Sequence, residues 1–190
     1  KDHSIVIERI LKCNDPKLRP QNKQKIEIFV GILLEFFMEI TKKINFNKEL
    51  IEIISNQLVL LGRIYSNATS IAAKALLADM LDETVGQSST KWPQISEIFL
   101  LRLLQSIFPV TDRIHAILTP SMLILGRALS CAKTKNIKHI INAMLCSQLM
   151  INGISEAKRI CPEPLNYANA IILALTPGVD QTNSTPYIPQ

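Results

Sequence analysis

Between Asn22 and Lys43, the residues Ile26, Phe29, Val30, Leu33, Phe37 and Ile40 return at steps of three and four. That is the period of an α-helix, and it puts the six side chains along one stripe. Leu34 and Phe36 widen the stripe beyond what one contact needs. A helix apolar over more than half its circumference packs on two sides, so this stretch demands neighbours in front and behind. Strands are poor candidates for those neighbours. Aromatic residues are 5% of the chain and glycines number six, while Leu, Ile and Ala dominate a composition that is 47% hydrophobic. Sheets would call for β-branched alternation between Gly-rich turns. The expected class is all-α.

Local signals divide the rest of the chain into further helices. A short one over Ser4–Leu11 is stopped by Cys13–Asn14–Asp15–Pro16, because Asn and Asp favour turns and proline disfavours helix at the residue before it. Asn47 caps a helix from Lys48 to Tyr65, and Asn67 caps an Ala-rich one reaching Asp82. The small residues Ala68, Ala72, Ala75 and Ala78 are expected to let a neighbour come close. Pro93 opens a helix over Gln94–Ile107. Thr119 caps, and Pro120 begins, one that reaches Cys131; Asn136 caps the next, through Asn152. The last expected helix, Pro162–Leu175, is almost continuously apolar from Ala168 onward and reads as buried. Two prolines set its entry, and Glu163 in its first turn suits the positive end of the helix dipole.

Short links between long helices make consecutive helices antiparallel neighbours, and each pair occupies roughly 40 residues, as in helical repeats. The expected architecture is an irregular α-solenoid of the HEAT/armadillo type with about seven principal helices, or one irregular bundle. Residues 1–176 form this helical-repeat domain, with a polar break near 85–92, and 177–190 read as an extended tail or linker. The physical use of such a stack is a long surface for other macromolecules. The chain starts at Lys1 rather than Met and carries no signal peptide, so a piece of a longer protein is expected.

The chemistry-bearing residues do not compose a reaction centre. His3, His115 and His139 stand at no metal-ligand spacing from one another or from a cysteine. His115 reads as a loop cap. Cys13, Cys131, Cys146 and Cys161 form no CxxC pair and lie in or beside apolar segments, which favours free, buried thiols and a reducing compartment. No P-loop, GxGxxG or GxSxG occurs. The expectation is a protein without catalysis, metal, cofactor or small-molecule substrate. No apolar run reaches the roughly 18–20 residues of a membrane span.

Net charge is +5, and two functional readings follow from it. The basic residues either solvate the surface or meet phosphates, with Lys17, Arg19, Lys23 and Lys25 the first candidates for RNA. Lys133, Lys135 and Lys138 come later, but no dense basic run and no aromatic–basic interleaving stands out. Asn14 and Asp112 brace loops or touch a partner, and Arg113 pairs with Asp112 or with another chain.

Three separated blocks resemble the nucleolar protein 14 family. The first is Ile7–Glu8–Arg9–Ile10 with Lys12–Cys13–Asn14, Pro16, Leu18 and Asn22–Lys23, followed by Leu33–Leu34–Glu35. The second is Phe108–Pro109–x–Thr111–Asp112 with Thr119–Pro120. The third is Arg159–x–x–Pro162–Glu163–x–x–Asn166–Tyr167, closing at Thr176–Pro177. Pro164 departs from the family pattern, and residues 44 to 105 match in hydrophobic pattern alone. The resemblance implies part of the helical core of a nucleolar assembly factor of the small-subunit processome, which matures pre-18S rRNA and builds the small (40S) subunit. Implied partners are nucleolar complex protein 4, the methyltransferase that modifies a pseudouridine of small-subunit rRNA, and pre-18S rRNA or snoRNP in the same particle. Glu163 and Asn166 become partner-contact or loop-bracing candidates, and the implied location is the nucleolus.

Overall fold

The computed structural model describes residues 2–43, 47–85, 91–108, 115–157 and 160–176. Among these the regular structure is all helical: α1 (Asp2–Cys13), α2 (Asn22–Lys42), α3 (Lys48–Ile64), α4 (Ser66–Val85), α5 (Ile95–Ile107), α6 (Leu118–Cys131), α7 (Ile137–Ala157) and α8 (Glu163–Leu175). The polar stretch 86–90 and residues 177–190 lie outside the described residues.

Helix ends follow local side-chain chemistry, sometimes at a different residue from the one expected. Asn14 closes α1 twice over: its backbone N–H donates to the Ile10 carbonyl at 3.1 Å and its Nδ2 donates to the same oxygen at 2.9 Å. In the turn that follows, buried Asn22 donates to the Asp15 carbonyl at 3.1 Å, which ties the start of α2 back to the end of α1. Asn47 accepts from the Leu50 N–H at 3.2 Å, the N-cap bond its position called for. Asn136 accepts from the His139 N–H at 2.9 Å, and His139 Nδ1 accepts from the Lys135 N–H at 3.2 Å.

Asn67 and Thr119 do not cap. Tyr65 alone separates α3 from α4, so α4 begins at Ser66 and Asn67 falls inside its first turn. The Tyr65 carbonyl takes both the N–H and the hydroxyl of Thr69, each at 3.0 Å. At α6 the helix starts one residue before Thr119, and the imidazole of His115 does the capping. Its Nδ1 accepts from the N–H groups of Ile117 and Leu118, each at 3.2 Å, while Thr119 Oγ1 accepts from the His115 N–H at 3.0 Å.

Packing repeats a simple order. Each helix meets the one two places along: α1 with α3, α3 with α5 and α5 with α7; α2 with α4, α4 with α6 and α6 with α8. Odd and even helices form two rows, joined by α2·α3, α3·α4, α5·α6, α6·α7 and α7·α8. α2 also reaches α5, which accounts for its broad apolar face. Val30, Leu34 and Phe37 of α2 are fully buried, with Ile54 and Leu58 of α3, Leu100, Leu101 and Leu104 of α5, and Ile124 and Leu125 of α6. Phe36, expected to extend the packed stripe, instead shares an exposed flank with Ile28 and Ile32.

Two glycines mark close approaches. A Cβ on Gly62 would lie 3.0 Å from both Cδ1 and Cγ2 of Ile107, so α3 and α5 nearly touch there. Gly31 faces Ala72 more loosely, with its would-be Cβ 3.9 Å from the alanine's. On α4 the buried face is Thr69, Ala73, Leu77 and Met80, while Ala75 and Ala78 are exposed.

The largest departure is α8. Pro164 is its buried residue, whereas Leu165 is 64% and Ile172 is 61% exposed. α8 packs chiefly on α6 and α7, with Tyr167 also against Trp92, and among the described residues no other helix packs extensively on it. The apolar sequence that read as burial is surface among the described residues.

Candidate functional site

The four cations expected to meet RNA are all exposed. Lys17 and Arg19 sit on the turn after α1, and Lys23 and Lys25 on the first turn of α2. Two helical positions turn a side chain through about 200°, so Lys23 and Lys25 leave the helix on different sides. Asp112 and Arg113 lie outside the described residues. Asn166 is exposed on α8. Glu163 accepts from the Cys161 thiol at 2.6 Å and lies over Gly126 of α6, whose would-be Cβ is 3.6 Å from Glu163 Oε1. Desolvation first, and the Glu163 bond second, push the Cys161 thiol up to about 12. Burial does the same to Cys146, also to about 12. Cys13 and Cys131, expected to be buried like the others, are exposed.

Among the described residues, no group of three or more His, Cys, Asp or Glu is arranged to hold a metal ion, and no helix is long and apolar enough to cross a membrane. Two ion pairs lie on the surface: Lys12–Glu8 at 3.7 Å and Lys42–Glu39 at 2.7 Å. The Lys42 ammonium beside it holds the Glu39 carboxyl below the usual carboxylate range.

What the molecule does present is apolar surface in register. On α7, Ile137, Ile141, Met144 and Ile151 are exposed at helical spacing. On α8, Leu165, Ile172 and Leu175 are exposed at spacings of seven and three, which again is one face. α2 adds Ile28, Ile32 and Phe36. Such rows of large apolar side chains mark interaction sites on folded chains.

A second feature escaped the sequence. Trp92 donates to the Lys133 carbonyl at 3.2 Å and packs edge-on against Tyr167, with ring centroids 5.5 Å apart. Tyr167 and Thr134 share a hydrogen bond at 3.0 Å, and buried Asn142 donates to the Pro93 carbonyl at 3.1 Å. These contacts join the segment before α5, the link between α6 and α7, and the first turns of α8. The Tyr167 of the third family-like block is therefore a structural brace.

Residues 1–190 match the Nop14-like family throughout. The chain belongs to that family. Its relatives include a protein named probable nucleolar complex protein 14 in Schizosaccharomyces pombe, 27% identical over 94% of this chain and 22% of that protein. Nucleolar protein 14 of Mus musculus is 25% identical over 97% of the chain and 22% of its own length. Nucleolar protein 14 of Homo sapiens is similar to the same degree, 25% over 97% and 22%. The chain thus spans about a fifth of the length of the curated relatives it matches. Within the Nop14-like chain, the three blocks seen in the sequence fall at the α1–α2 turn, at the segment entering α6, and at the start of α8.

Proposed function

We propose that this chain is a non-catalytic helical scaffold of ribosome biogenesis, working in the nucleolus. In this reading it is part of the small-subunit processome and supports pre-18S rRNA processing and 40S assembly by docking other assembly factors. Membership of the Nop14-like family, with relatives named nucleolar protein 14, supports the setting. The observation that carries the docking role is the exposed apolar row on α7 and α8. Those rows call for partners of apolar character, either other parts of a longer protein or other assembly factors. The two-row packing order fits a HEAT/armadillo-like stack over 1–176, which offers continuous ridges for several partners at once. Nucleolar complex protein 4 and the pseudouridine methyltransferase of small-subunit rRNA are the first partners to test.

The test is an affinity pull-down of the tagged chain from cell extract, with and without ribonuclease, read by mass spectrometry. Small-subunit assembly factors retained after ribonuclease are the expected result. Their loss would point to bridging by RNA, and their absence from both samples would discard the reading.

A further inference from the structure

Five lysines converge on one groove beside Trp92. Enclosing about 490 Å³, it is lined by Lys42 at the end of α2, Lys91 ahead of α5, Lys133 and Lys135 between α6 and α7, and Lys138 in the first turn of α7. No Asp or Glu stands among the described residues that line it. Lys42 shares its charge with Glu39, while the other four make no ion pair among the described residues. Glu97 lines the adjoining cavity with Lys91, and its carboxylate accepts from the Gln94 N–H at 2.7 Å. Cations gathered around a concavity without counter-charge focus a positive potential into it.

One polar side chain of the groove wall is unsatisfied. Ser96 stands in the groove wall, 1% exposed, and its hydroxyl has no hydrogen-bond partner among the described residues. A buried polar atom without a partner is unfavourable, and native structures rarely keep one without a use. The walls are held in place by the bonds from Trp92 to Lys133 and from Asn142 to Pro93, and by the Asn136–His139 cap under Lys138.

We propose that this groove binds consecutive backbone phosphates of a nucleic-acid strand. All five cations are lysines, compact point charges suited to phosphate oxygens; paired carboxylates of an acidic protein segment are met best by the planar fork of arginine. Lys42 already shares its charge with Glu39, and the four remaining positive charges still exceed what one phosphate group neutralises, whereas a strand brings one negative charge with each nucleotide. Trp92 is 9% exposed and offers no face for a base to stack on, so the contact reads the backbone and not the sequence. This site uses none of Lys17, Arg19, Lys23 or Lys25, and it stands whether or not the apolar rows dock assembly factors.

The test titrates the 190-residue chain with a fluorescein-labelled oligouridylate at about 50 and 200 mM salt, reading anisotropy and the emission of Trp92, the single tryptophan. Lys133→Gln/Lys135→Gln/Lys138→Gln should weaken binding on the order of 10-fold or more and shrink the slope of log affinity against log salt by about 2. Lys91→Gln alone should shift both in the same direction by less. The control Lys17→Gln/Lys23→Gln/Lys25→Gln removes equal charge elsewhere and should change affinity less than about 2-fold. All these lysines are exposed, and circular dichroism checks that each variant stays folded. Equal losses in the two triple variants, no binding by the unmodified chain, or equally tight binding of a polyglutamate peptide would each overturn the proposal.

Discussion

At the scale of single residues, two glycines in neighbouring helices make opposite predictions. An alanine is better than glycine inside a helix by about 1 kcal/mol, so each Gly→Ala change begins with that gain. At Gly31 the new methyl meets Ala72 at ordinary contact distance, and Gly31→Ala should raise the urea midpoint. At Gly62 it would press on two carbons of buried Ile107 at 3.0 Å, and overpacking of that kind costs about 1–3 kcal/mol. Gly62→Ala should therefore lower the midpoint; a rise would mean that Ile107 moves freely. The thiols make a pH prediction. Cys146 and Cys161 titrate near 12 in the folded chain against an ordinary 9.0, so folding favours their protonated forms. That stability is fully present below about pH 9 and is lost as the pH rises toward 12. The melting temperature should fall across this range, and the fall should be shallower in Cys146→Ala/Cys161→Ala.

Among the elements, α8 teaches the most. Its apolar composition could not distinguish a helix buried in this chain from one whose partner lies elsewhere, because periodicity reports which face is sticky and not what covers it. Ile172→Asp should consequently shift unfolding by no more than about 0.5 kcal/mol, the range of ordinary surface changes. Leu101→Ala, at a fully buried position of α5, should cost about 2–5 kcal/mol in the same denaturation experiment. If the two variants melt alike, the burial pattern is wrong. The helix class and most helix ends were legible in the sequence, since Asn47, Asn136 and the prolines act within a few residues of themselves. Asn67 and Thr119 were misread because caps compete: a one-residue joint at Tyr65 left no room for the first, and the His115 ring took the place of the second. The lysine groove was invisible for a different reason. Its cations come from three separate stretches, and only the fold brings Lys42 and Lys91 to Lys133, Lys135 and Lys138.

For the whole molecule, the polar break near 85–92 does not divide the packing. α2 and α3 before it pack on α5 after it, and α4 packs on α6. The two rows also have a temporal meaning. Among the described residues, no principal pairing joins helices more than three places apart along the chain. Contacts that close over short stretches of sequence form quickly, and they can form before distant segments exist. A nascent chain could seat α3 on α1 and α4 on α2 while α7 and α8 were still being synthesised. For the eight described helices, the order of translation then serves as the order of assembly.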